Sequence, residues 1–289
     1  MTQILHPSHG ITLGCDTHVH VIGDATRYPM VLERHYTPGP ASTHDLTHHL
    51  EAQSLDGVVI VQPSVYGTDN QCLLDALSVL GPHAKGIAVL DENISPSALQ
   101  QMDASGIRGI RLNFESSANH NTHHLQSALT YWSSRIAALG WHIQVYAPFA
   151  MVAACAPTIR ALPTPVVLDH FALWPRTEEA QASDESHVLE LLNDKRIYIK
   201  LSASYRQPNV APQRVQQLAH RLLQIQPECL LWGSDWPHTQ REPSVLPQDV
   251  SRYRAIASHQ LCDERLQWLR TPELQHQVLV ANPAKLYRF

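Results

Sequence analysis

Eight short apolar runs recur along this chain of 289 residues, each followed by a stretch with helical spacing. They lie at 11–20, 57–63, 84–90, 107–114, 141–147, 165–172, 196–203 and 229–235. Their interiors are continuous rather than alternating, as in Val58-Val59-Ile60-Val61 and Val166-Val167-Leu168. That is the pattern of strands buried on both faces of a parallel sheet. Helical patterns fall at 69–80, 125–139, 149–162, 187–192 and 212–225. Asp69 and Ser95 read as helix N-caps, Pro96 as a first helical residue, and Gly81 and Gly140 as helix ends. Eight β-α units in order predict an α/β fold, a (β/α)8 TIM barrel, as a single domain over 1–289. The alternative is an open doubly wound sheet, but no G-x-G-x-x-G follows the first run.

A barrel carries its site at the C-terminal ends of its strands. The first run closes with Asp16-Thr17-His18-Val19-His20. Strand side chains alternate, so two histidines two apart point to one side. The second strand end offers Gln62, Ser64 and Tyr66, the fourth Arg108 and Arg111, and the fifth Gln144 and Tyr146. The sixth offers Asp169 and His170, the seventh Lys200, Ser202 and Arg206, and the eighth Asp235 and His238. Arg108 and Arg111 are three apart and so face opposite sides of their strand. Arginine forks match carboxylates, which points to an acidic substrate. Histidines grouped around one oxygen can stabilise developing negative charge, and an aspartate facing them can take a proton from water. Together these groups fit the addition of water to an activated carbonyl.

With these residues the chain resembles the amidohydrolase superfamily, through the H-x-H of the first strand, Gly233-Ser234-Asp235-Trp236-Pro237-His238 on the eighth, and the closing Asn282-Pro283-Ala284-Lys285-Leu286-Tyr287. Within it the chain is most similar to the 2-pyrone-4,6-dicarboxylate lactonase group. The strings that carry this are Arg34-His35-Tyr36-Thr37-Pro38, 61–70, Arg108-Gly109-Ile110-Arg111-Leu112-Asn113 and Leu168-Asp169-His170. The resemblance implies a lactone hydrolase. It gives Asp235 the role of general base and His18, His20 and His170 that of polarising the carbonyl. It assigns Tyr36, Ser64, Arg111, Tyr146, Arg206 and His238 to the substrate. The group works without metal, so no cofactor is expected. If a divalent metal such as zinc were bound, His18, His20 and Asp235 would be its ligands. Metal-dependent members carry a lysine or carboxylate on strand four and a histidine on strand five. Here arginine and Tyr146 stand in those places, and His142 is at the wrong end of its strand. The dicarboxylate lactonases also carry a basic residue soon after strand four. The stretch 114–120 lacks it, so one substrate carboxylate is left without that partner. The alternatives are a zinc-dependent decarboxylase, a sugar-acid lactonase or isomerase, and a non-catalytic acid-binding barrel.

The expected partner is a small anionic lactone. Net charge is -5 and no basic block occurs, which argues against nucleic acid. No apolar run approaches the roughly 18 residues of a membrane span. Five cysteines without C-x-x-C spacing read as reduced, mostly buried thiols of a cytoplasmic protein. Residues 1–10 lack the pattern of a signal peptide. Nothing in the sequence specifies an oligomeric state. His44, His48 and His49, like His123 and His124, are expected on solvated helix faces, Trp174 and Trp236 in packing, Lys200 paired inside the barrel, and Asn282 in a structural role. The loop 21–47 should overhang the barrel mouth, and 176–186 should be a polar, mobile connection.

Overall fold

A computed structural model describes residues 10–115, 121–175, 182–206 and 211–289. Eight parallel strands follow one another in chain order: β1 (Cys15–Val19), β2 (Gly57–Val61), β3 (Ala84–Ala88), β4 (Ile107–Asn113), β5 (His142–Tyr146), β6 (Val166–Leu168), β7 (Ile197–Ser202) and β8 (Leu230–Gly233). β8 meets β1 just beyond the strand ends, where the Asp235 amide donates to His18 O at 2.9 Å and the His20 amide to Trp236 O at 2.8 Å. The expected (β/α)8 barrel is thus formed.

Local chemistry explains the surrounding helices. Helix Pro212–Ile225 buries Val215, Ala219, Leu222 and Leu223, one stripe at helical spacing. Ser95 caps Pro96–Ala104 by accepting from the Ala98 amide at 3.1 Å. Helix Gln71–Leu80 starts later than expected, with Asn70 at the cap, and Asp69 accepts from the Gln71 amide at 3.0 Å. Gly81 and Gly140 end their helices at φ 69° and 64°. The pattern at 149–162 resolves into two helices, Phe149–Ala154 and Ala156–Ala161, that meet at Cys155. Pro157 cannot donate to the preceding turn and disfavours continuous helix there.

Two apolar cores flank the strands. The outer one lies between strands and helices. The inner one fills the lower barrel with Cys15, Val59, Val61, Ile87, Val167, Tyr198 and Leu231, and Leu286 and Tyr287 of helix Asn282–Tyr287 pack against it. Asn282 is structural, as expected: its amide donates to Pro227 O at 2.8 Å and Leu230 O at 2.7 Å.

The decisive irregularity is in β1. Cys15 belongs to the inner core, and strict alternation would bring Thr17 and Val19 inward after it. Instead Asp16 pairs with Val58 and Val19 with Ile60, so β1 carries one extra residue between them. Val19 therefore joins the outer core. His18 and His20 are thereby turned to the inside. Gly233 permits the close approach of β8 here: a Cβ on it would stand 2.7 Å from His18 Cβ.

Several expectations need correction. Residues 11–14 precede the strand rather than belong to it. After β6 the chain does not stay extended, because His170, Phe171, Ala172 and Leu173 all take left-handed φ between 49° and 55°. The loop 21–47 contains a short ladder, Thr37–Pro38 with Val250–Ser251, and passes into helix Thr43–Gln53. Of the segment 176–186, residues 176–181 lie outside the described residues, and the rest opens helix Ala182–Leu191. All five cysteines are free and four are buried. Among the described residues no helix is long and apolar enough to cross a membrane.

Candidate active site

Above the apolar interior the barrel turns polar. Lys200 on β7 is fully buried. Its ammonium donates to Thr17 O at 2.8 Å and Gln144 Oε1 at 2.7 Å, and lies 3.3 Å from His18 Nδ1. Gln144 Nε2 and Arg111 Nε each donate to Asp169 Oδ2 at 3.1 Å. Burial pushes the Lys200 pKa down to about 8, against the pull of Asp169. Burial also pushes the Asp169 carboxyl up, but His18, Arg111 and Lys200 outweigh it and leave it well below the usual carboxylate range.

On this layer stands Asp235. It is buried and takes a left-handed φ of 61°, an uncommon conformation for a residue other than glycine. Its Oδ2 accepts from Arg206 Nε at 2.6 Å and from the Tyr205 hydroxyl at 2.7 Å. Its Oδ1 has no hydrogen-bond partner among the described residues, and three imidazole nitrogens surround it. His20 Nε2 lies at 3.5 Å, His18 Nε2 at 3.7 Å and His170 Nε2 at 3.9 Å. Burial raises the Asp235 pKa, but Arg206 and the imidazoles reverse this and hold it well below the ordinary value. Burial lowers His170 to about 3, and burial with Lys200 lowers His18 well below its usual value. The back of each ring is fixed as well. His20 Nδ1 donates to Val61 O at 2.8 Å, and His170 Nδ1 is 2.9 Å from Ser202 Oγ.

A cavity of about 480 Å³ opens above this cluster. Tyr36, Ser64, Arg111, Tyr146, His170, Arg206, His20 and Asp235 all line it, which brings together eight of the residues singled out in the sequence. Arg111 lies over the Tyr146 ring at 5.1 Å, and both line the cavity. His18 lies below the lining, fully buried. His238 is not in the wall. Its Nδ1 lies 3.3 Å from the Tyr205 hydroxyl, and burial lowers its pKa to about 4. Arg108 turns away, as expected, to Asp103 at 3.2 Å.

The sequence reading missed Tyr205, Arg241 and His49, and named Gln144 and Asp169 without giving them a role. Tyr205 shares Asp235 with Arg206, and its position one residue before Arg206 was the available signal. Gln144 and Asp169 form the polar floor, although both were visible at strand ends. Arg241, six residues after Asp235, lines the cavity with His35 and adds a cation where 114–120 offered none. Residues 116–120 of that stretch lie outside the described residues. His49, expected on a solvated face, is buried and meets Asp16 Oδ2 at 3.2 Å. The other oxygen of Asp16 accepts from the amides of Ser234 at 2.9 Å and His18 at 3.1 Å, so this carboxylate joins β1 to β8 beneath the site. For a metal ion, the grouped ligand atoms are those of His18, His170 and Asp235, within 4.8 Å of one another, with His170 in the place the sequence had given to His20.

The profile of the amidohydrolase family matches residues 15–289. The 2-pyrone-4,6-dicarboxylate hydrolase of Comamonas testosteroni is 30% identical over 94% of this chain and 89% of its own length. A 4-sulfomuconolactone hydrolase of Rhizobium radiobacter is 29% identical over the same shares, 94% and 89%. Among solved structures, a probable 2-pyrone-4,6-dicarboxylic acid hydrolase from Acinetobacter baumannii with citric acid bound superposes with a TM-score of 0.81 at 28% identity, covering 96% of this chain and 100% of that one.

Proposed function

Because the chain belongs to the amidohydrolase family, we propose that it hydrolyses the ring ester of a small anionic lactone of the 2-pyrone-4,6-dicarboxylate kind. The observation that carries this reading is the state of Asp235. One of its oxygens is held by Arg206 and Tyr205, and the other points at three imidazoles on the floor of a cavity rimmed by arginine. A water between Oδ1 and the lactone carbonyl carbon gives its proton to Oδ1 as its oxygen attacks. Imidazole N–H groups take up the charge developing on the carbonyl oxygen. The ring C–O bond then breaks, and the proton held by Asp235 passes to the departing ring oxygen. Arg111, Arg206 and Arg241 supply three guanidiniums for the acidic groups of the substrate.

The donor set does not suit a resident divalent metal. Arg111, Arg206 and Lys200 bring three positive charges into contact with two carboxylates, Asp169 and Asp235. A divalent cation would add to a local excess of positive charge. This also weighs against the decarboxylase alternative, which needs zinc. The free cysteines are in keeping with a reducing compartment such as the cytoplasm.

The test follows the ultraviolet absorbance of 2-pyrone-4,6-dicarboxylate with the pure protein after exhaustive chelation. Loss of the pyrone band at a rate proportional to protein is expected. No loss at high protein concentration would exclude this ring, and no turnover of 4-sulfomuconolactone or sugar-acid lactones either would overturn the lactonase reading.

A further inference from the structure

His18 lies beneath the cavity, and its Nε2 makes no hydrogen bond among the described residues. Whether that nitrogen presents a proton or a lone pair depends on which ring nitrogen is protonated. Two groups face the other nitrogen, Nδ1. Asp169 Oδ1 is 3.3 Å away and also lies 3.7 Å from Lys200 Nζ. Lys200 Nζ, also at 3.3 Å, is in hydrogen-bonding position. An ammonium has three protons and no acceptor. Two of those protons go to Thr17 O and Gln144 Oε1, and the third is directed at His18. A hydrogen bond from Lys200 requires a lone pair on Nδ1, which places the ring proton on Nε2.

We propose that Lys200 is a positioning residue that fixes His18 as the Nε2–H tautomer, so that His18 turns a proton toward Asp235 Oδ1, 3.7 Å away, and does not serve as a metal ligand. His20 is held differently: its Nδ1 donates to Val61 O, and its Nε2 faces Asp235 Oδ1 at 3.5 Å.

The catalytic consequence rests on the lactone-hydrolase reading, whereas the tautomer does not. The test uses the full-length protein labelled with 15N at histidine, with His18 assigned by its loss in His18→Gln. Long-range proton–nitrogen correlation is expected to show His18 protonated on Nε2. Protonation on Nδ1 overturns the proposal. Lys200→Met keeps the stem and removes the donor. In it His18 should shift its proton to Nδ1, kcat should fall about 10- to 100-fold with KM little changed, and zinc retained in equilibrium dialysis should rise above the wild-type amount. An unchanged tautomer, or unchanged zinc retention, in a folded Lys200→Met protein also overturns it. If that variant does not fold, the wild-type tautomer decides. A wild-type Nε2–H signal without turnover of any lactone would refute the proposed reaction and leave the role of Lys200 standing.

Discussion

Replacing Asp235 by asparagine isolates the base from the scaffold. The asparagine carbonyl can take the place of Oδ2 and still accept from Arg206 and Tyr205, which now bond at 2.6 and 2.7 Å. Its amide then occupies the place of Oδ1, where it has no basicity to offer an attacking water. Loss of a positioned general base costs about 10²- to 10⁴-fold in rate, or about 3–5 kcal/mol of transition-state stabilisation at about 1.4 kcal/mol per tenfold. The substrate should not bind worse, because Arg206 is released from a full negative charge and turns more of its own charge toward an anionic ligand. Stability should fall by about 1–3 kcal/mol, since a charge-assisted bond to a largely buried guanidinium becomes a neutral one. Steady-state absorbance assays give kcat and KM, and urea unfolding gives the stability term. The expected pattern is a collapsed kcat with KM equal or lower. A kcat within tenfold of wild type, in a folded protein, would refute the assignment of Asp235 as base.

Stability should also depend on pH in a defined direction. His142 and His170 have folded pKa values of about 3 and His238 of about 4, all lowered by burial and below the value near 6.5 expected unfolded. The unfolded chain binds more protons in this interval, so stability is full above about pH 6.5 and declines as pH falls toward the folded values, by at most about 1.4 kcal/mol per pH unit for each histidine. Asp169 and Asp235, lowered below the usual carboxylate value, add a loss of the same sign at still lower pH. A urea midpoint that stays flat from about pH 6.5 to 4 would contradict this, and His142→Gln, remote from the cavity, should make the slope shallower. Arg241→Gln should raise KM about tenfold for a lactone with two acidic groups and leave kcat nearly unchanged, a split visible in initial rates. His49→Ala strips a partner from buried Asp16 and should cost about 1–3 kcal/mol in urea unfolding, with a drop in kcat because Asp16 holds the amides of both His18 and Ser234.

The barrel was readable because strands buried on both faces leave continuous apolar runs, and all eight runs contain strands. Strand ends were less readable, since cap and turn geometry decides them. The run at 165–172 breaks at a left-handed turn that no residue type there announces. The H-x-H spacing correctly put His18 and His20 on one side. It could not say which side, because the extra residue in β1 that turns them inward is set by pairing with β2 and β8. Asp235, His170, Arg111 and Arg206 were legible as ionisable groups at strand ends. Tyr205, Arg241 and His49 were not, because Tyr205 and His49 gain their roles from contacts distant in sequence and Arg241 from the course of the loop after strand eight. His238 is the reverse case: it closes the strand-eight motif, yet its Nδ1 turns to the Tyr205 hydroxyl and it is not in the cavity wall.

The low proton affinity of Asp235 limits what the site can catalyse. A carboxylate held by Arg206 and Tyr205 is fully ionised at neutral pH, but it is a weaker base than an unpaired aspartate. Such a base cannot by itself drive water onto an unactivated ester. The missing driving force has to come from the electrophile. Part of it is supplied by the imidazole N–H groups, which act in a buried site where hydrogen bonds to developing charge are strengthened. The rest must lie in the substrate, in a ring whose departing oxygen leaves as a stabilised anion. An enolate released from a conjugated lactone meets that condition before the proton from Asp235 reaches it, whereas a simple alkoxide depends wholly on that proton. Across a series of lactones, kcat should therefore fall steeply as the pKa of the departing oxygen rises, while KM follows the number of acidic groups. Equal rates on conjugated and saturated lactones would show that Asp235 is a stronger base than its partners allow.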